Sequence, residues 1–145
     1  MRKLQINAEM LESIIREIIA EKTAEKKDGV IKICAPEIKV SEADRLDTGT
    51  PAHRVYTKDL FTLSQSPRLG CGIMEMTDTT FDWTLGYDEI DYVIDGKLSI
   101  VTENGTHTAE KGELILIPKD SKIKFSVSGF ARFLYVTYPA DWNNA

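Results

Sequence analysis

The chain has 145 residues, enough for one domain with a real hydrophobic core and too few for two full ones. Apolar residues make up 42% and charged residues 28%, which argues against an intrinsically disordered chain, a collagen-like repeat or a disulfide-dense miniprotein. With 18 Lys and Arg against 23 Asp and Glu the net charge is -5, so the surface repels phosphate backbones and nucleic acid is not an expected partner.

No apolar run approaches the roughly 18 to 20 residues of a membrane span. The first residues also lack the basic, apolar and small-residue order of a signal peptide, so a cytoplasmic protein that does not enter membranes is expected. Cys34 and Cys71 stand far apart with no CxxC, which reads as two reduced, small core hydrophobes.

Met10, Leu11, Ile14, Ile15, Ile18 and Ile19 recur with helical spacing and predict an amphipathic helix from residue 8 to about 26. Asn7 is its expected N-cap, Glu9 suits the positive end of the dipole, and Ile6 stands where a staple to Leu11 would form. The charged stretch Glu21 to Asp28 then ends at Gly29, so residues 1–28 read as helix plus linker and 29–145 as the main domain.

Beyond Gly29 the chain consists of short segments rich in branched and aromatic residues, broken by turn residues about every ten positions. This pattern predicts strands near Val30–Cys34, Glu37–Val40, Arg54–Tyr56, Leu60–Thr62, Gly72–Thr77, Glu89–Ile94, Lys97–Glu103, Thr106–Ala109, Leu114–Ile117, Ile123–Val127 and Arg132–Tyr138. A type I′ hairpin is expected across Asn104 and Gly105, and another tight turn at Asp95 and Gly96. The sequence has no fixed-period repeat and none of the phosphate-loop, dinucleotide or esterase glycine motifs.

The stretch Phe81 to Leu98, with Gly112 to Phe125, resembles the two motifs of the cupin family of jelly-roll barrels. Glu89 followed by Gly96 matches the end of motif one, and Gly112 followed by Pro118 the start of motif two. Cupins usually hold a metal on two His and one Glu from the first motif and one His from the second. Here the first-motif His positions fall on Trp83 and Leu85, or with a one-residue shift on Asp82 and Thr84, and the second-motif position falls on Ile123. Indole and aliphatic chains offer no lone pair suited to a divalent metal, so the usual triad is absent and only Glu89 remains.

Strand alternation that turns Glu89 into the barrel also turns Tyr87, Asp91 and Val93 inward. Two carboxylates in a low-dielectric cavity repel one another and lose solvation, so one is protonated at neutral pH, or a cation or donor lies between them. The plainer alternative puts Asp91 in water at the mouth with Glu89 capping backbone amides. His53 and His107 read as surface residues, Lys119, Lys122 and Lys124 as a solvated face, and Met74 and Met76 as core or pocket wall.

The string Phe81-Asp82-Trp83-Thr84-Leu85-Gly86-Tyr87-Asp88-Glu89-Ile90-Asp91-Tyr92-Val93-Ile94-Asp95-Gly96 resembles the EutQ family of ethanolamine utilization proteins, as do Ile117-Pro118-Lys119 and Arg132 to Trp142. The likeness covers residues 30 to 142 and implies an all-β cupin jelly-roll barrel without the histidine triad, here preceded by the amphipathic helix. It also implies a homodimer, a bacterial microcompartment and an acetate kinase activity that interconverts acetate and ATP with acetyl phosphate and ADP. Under that implication Glu89 and Asp91 are assigned to Mg²⁺, since hard oxygens suit it. Tyr87 is assigned as a donor to a phosphate oxygen and Trp83 as a stacking wall for the base of ATP, with Met74, Met76 and Phe125 on the substrate pocket.

In that setting the helix acquires a second reading, as a signal that docks on shell or cargo proteins of a microcompartment, beside the ordinary one of packing on its own barrel or on a dimer mate. Two classes of function follow: a kinase working through Tyr87, Glu89 and Asp91, or a cupin that has lost its metal and serves as an assembly or cargo factor.

Overall fold

The structure, a computed structural model, describes residues 6–23, 25–27 and 29–145, and side chains outside 19–28. The described chain divides into two compact units, 1–39 and 40–145. In the first, helix α1 runs over Ala8–Thr23. Asn7 caps it as expected: its side-chain oxygen accepts the Met10 N–H at 2.8 Å and its carbonyl the Leu11 N–H at 3.0 Å. The stripe from Met10 to Ile18 is about half exposed, while Ile19 and the expected linker residues Glu21 to Asp28 lie outside the described side chains. Strands β1 (Glu25–Lys27) and β2 (Val30–Lys32) pair with each other, so the segment read from sequence as the first barrel strand forms a two-stranded ribbon instead.

The second unit is a barrel built on three long strands: β4 (Gly70–Thr84), β5 (Asp88–Thr102) and β8 (Lys122–Tyr138). With β3 (Arg54–Asp59) and β6 (Gly105–Glu110) they order as β3-β4-β8-β5-β6, and β7 (Leu114–Ile117) pairs with β5, all antiparallel. This is the expected all-β jelly-roll architecture, with a core of inward residues led by Val55, Met76, Leu85, Val93, Leu98 and Phe133.

Several strand boundaries differ from the sequence reading for physical reasons. Asp95-Gly96 is not a tight turn: β5 runs through it as an irregularity, with Gly96 at φ 76 and its pairing to β8 shifted on both sides. Similarly, Asp78 at φ 40 bulges inside β4 rather than ending it. The hairpin at Asn104 forms, but Thr102 pairs with Gly105, so Glu103 and Asn104 make the turn. Neither has positive φ, and the turn is not type I′. Glu37–Val40 is not a strand, since Pro36 starts a 3₁₀ turn over Ala35–Glu37, and Leu60–Thr62 is loop.

Candidate functional site

Inward alternation on β5 is regular: Tyr87, just before the strand, and Glu89, Asp91 and Val93 within it are buried, while Asp88, Ile90 and Tyr92 face out. Asp91 has no exposure at all, which removes the alternative that placed it in water at the barrel mouth. The start of β5 is fastened to motif two, because the Asp88 carboxylate accepts the Lys119 N–H at 2.8 Å and Leu85 exchanges backbone bonds with Asp120 and Ser121.

Register sets the neighbours. Asp59, Gly72, Tyr135 and Asp91 lie in one row across β3, β4, β8 and β5, and Thr137 is level with Glu89. Gly72 is required in that row, since a Cβ there would stand 2.1 Å from the Tyr135 hydroxyl. Without it Tyr135 crosses β4 and donates to Asp59 at 2.6 Å. Asp59 also accepts the Trp142 indole N–H at 3.0 Å, which fixes a 3₁₀ turn (Trp142–Asn144) by the Tyr87 and Tyr135 rings.

Beside Tyr135 and Trp142 lies a cavity of about 20 Å³, the room one water molecule takes. Its walls are Phe81, Trp83, Tyr87, Phe125, Tyr135 and Trp142, with Leu46, Thr57 and Met74, and its one ionisable acid is Glu89. Of the site residues picked from sequence, Tyr87, Glu89, Trp83, Met74 and Phe125 therefore line one cavity. Asp91 is not on its wall, and Met76 is packed in the core away from it. Neither histidine lines it: His53 is half-buried, its ring nitrogen 2.7 Å from the Thr48 hydroxyl, and His107 is exposed on β6.

Sequence reasoning missed Asp59, Tyr135 and Trp142. Alternation along β8 identifies Tyr135 as inward, but no periodic signal reaches Trp142, which follows the turn at Pro139.

The electrostatics follow from burial. With both Glu89 and Asp91 ionised, Glu89 Oε2 and both Asp91 carboxylate oxygens have no hydrogen-bond partner. Loss of solvation pushes the Glu89 carboxyl up to about 7, partly offset by a hydrogen bond from Asp91. Burial, then the Glu89 charge and the shared hydrogen bond, raise Asp91 well above the usual carboxylate range. Burial and mutual repulsion therefore hold the pair back from double ionisation. Burial also raises Tyr87 and Tyr135, each with a nearby carboxylate adding to the shift. The Tyr87 oxygen accepts the Trp83 indole N–H at 2.7 Å and keeps its own O–H to offer.

The pair offers hard oxygens of the kind Mg²⁺ takes, but Mg²⁺ demands six ligands in a near-octahedral shell and retains several waters. The cavity has room for about one, its other walls are mostly carbon, and among the described residues no group of three His, Cys, Asp or Glu side chains converges. The donor set does not fit a resident Mg²⁺.

A jelly-roll barrel of this kind, with neither histidine on the wall of its cavity, defines a cupin without the histidine triad. The fold alone is shared with distant cupins such as the Cupin_2 domain of an XRE family transcriptional regulator from Enterobacter cloacae, 16% identical, TM-score 0.51, covering 58% of this chain and 95% of that one. Closer in sequence, the family described as "Ethanolamine utilisation protein EutQ" matches residues 6–144, and the chain belongs to it. The "Acetate kinase EutQ" of Clostridioides difficile (strain 630) is 58% identical over 94% of both chains. A solved structure of the Clostridium difficile EutQ protein is 65% identical, with TM-score 0.80, over 82% of this chain and 88% of that one. The "Acetate kinase EutQ" of Salmonella typhimurium is 37% identical over 81% of this chain, which spans half the length of that relative. Among the described residues no helix is long and apolar enough to cross a membrane.

Proposed function

We propose that this chain is an acetate kinase of ethanolamine utilisation, carried in a bacterial microcompartment. The observation that carries the reading is the 58% identity, over 94% of each chain, to a protein named for that activity. In the reaction a carboxylate oxygen of acetate attacks the γ-phosphorus of ATP, the bond from that phosphorus to the β,γ-bridging oxygen breaks, and ADP departs without net uptake of a proton. Mg²⁺ is read as part of the nucleotide substrate, arriving with ATP. Tyr87 offers its O–H to a substrate oxygen, the Glu89–Asp91 pair supplies a shared acidic proton that lessens repulsion of an incoming carboxylate, and Trp83 forms the wall toward the nucleotide.

Acetyl phosphate formed from acetate and MgATP, trapped as the hydroxamate, tests the reading. Turnover is expected in the unaltered protein and a fall of a hundredfold or more in Glu89→Gln. Absence of turnover in folded protein overturns it.

A second reading, a non-catalytic assembly or cargo factor, is favoured by one observation: the cavity takes about one water and no Lys or Arg lines it, whereas phosphoryl transfer calls for cationic groups on the phosphates. In that reading the half-exposed α1 stripe docks on shell or cargo proteins and is the working part. Loss of shell association on deletion of residues 1–28, with no turnover in the intact chain, selects it. Under either reading a homodimer is proposed, formed through the outer face of β5, β7 and β8.

A further inference from the structure

The buried carboxylate at Glu89 lacks the positive partner that such a group ordinarily has. Its Oε2 is buried without a hydrogen-bond partner, the cavity beside it holds no basic side chain, and six aromatic rings make up most of the wall. Mg²⁺ does not suit that wall. An organic ammonium does, because its carbon is satisfied by carbon and its –NH₃⁺ group is held by a carboxylate together with the faces of surrounding rings.

We propose that the cavity is a binding site for a small primary alkylammonium ion. The –NH₃⁺ group replaces the single water the cavity admits, with one N–H on the Glu89 carboxylate and another on the free lone pair of the Tyr87 oxygen. The tail leaves past Trp83 and Trp142, two half-buried rings of the wall.

The proposal goes beyond the kinase reading and is tested without nucleotide or acetate, so failure of one leaves the other standing. The intact protein is titrated with methylammonium and with ethanolammonium chloride, following tryptophan emission and binding heat, with sodium chloride as the matched control. Saturable binding of both ammonium ions, a Trp signal absent with sodium, and at least tenfold weaker binding in Glu89→Gln are expected.

A measurement on the unaltered chain covers the case in which that variant does not fold. Only ionised Glu89 accepts the cation, so affinity is expected to rise several-fold from pH 6 to pH 8. The other groups around Glu89 are Asp91 and Tyr87 from its own segment, Tyr135 from β8, and Asp59 and Cys71 behind Tyr135; β7 contributes Ile117. The tyrosines, Cys71 and Asp91 are all raised by burial. No saturable response to either ammonium ion, equal binding in a folded Glu89→Gln, or affinity that falls with rising pH as an acid ligand's would, overturns the proposal.

Discussion

Glu89 and Asp91 impose a pH dependence opposite in sign to that of surface ion pairs. An exposed carboxylate paired with a cation gains from ionisation, whereas Glu89 is buried and loses by it. Its carboxyl titrates near 4.5 when unfolded and is raised to about 7 in the fold. Between those values the folded state binds more protons than the unfolded state, so this contribution is complete below about pH 4.5 and lost as pH rises toward 7. A shift of that size corresponds to about 3 kcal/mol. Urea midpoints for the unaltered protein and Glu89→Gln across pH 4.5 to 7.5 check it. The stability difference is expected to move in favour of the Gln variant as pH rises, and a difference that stays constant counts against the buried, raised carboxyl.

Among the elements, β5 decides most of the site, and its continuity depends on Gly96. The residue sits at φ 76, and a Cβ there would lie 1.9 Å from the Phe130 carbonyl oxygen on β8. Gly96→Ala therefore combines left-handed strain with a backbone clash, and a loss of more than about 2 kcal/mol is expected. Gly112 is the control: it has φ 87 but nothing within 4 Å of a Cβ, so Gly112→Ala costs about 1 kcal/mol. Thermal unfolding of both variants separates clash from strain.

The same element shows what was readable beforehand. Period-two alternation placed Tyr87, Glu89 and Asp91 inward because each burial step there is set by the pleat, a local property. Asp95-Gly96 was misread because its dipeptide also fits a hairpin turn, and only the opposing carbonyl of Phe130 on β8 distinguishes a bulge. Trp142 and Asp59 were invisible as site residues for a similar reason. Their indole-to-carboxylate bond joins positions 83 apart, and no local pattern encodes that pairing.

At the scale of the whole molecule, the outer face of the barrel carries the clearest demand for a partner. Register sets Leu116, Ile90 and Val136 in one row across β7, β5 and β8, with Leu114, Tyr92 and Leu134 in the row two residues along. Leu114 and Leu116 are each 65% exposed, Ile90 43% and Tyr92 41%. A contiguous apolar patch of this kind on a sheet marks an interaction surface rather than ordinary scatter. A second copy suits it, because the patch carries no charge of its own to oppose a like patch, and two-fold pairing is the common arrangement for such a face. Leu116→Asp puts an unpaired carboxylate at its edge without touching the inward side chains of β7, so the barrel is expected to fold unchanged. Burying that charge between copies costs several kcal/mol, enough to weaken association at least a hundredfold. Sedimentation at micromolar concentration is expected to give a dimer for the unaltered chain and a monomer for the variant. A dimer that survives Leu116→Asp would move the interface elsewhere, and a monomer in both would leave the face to another partner.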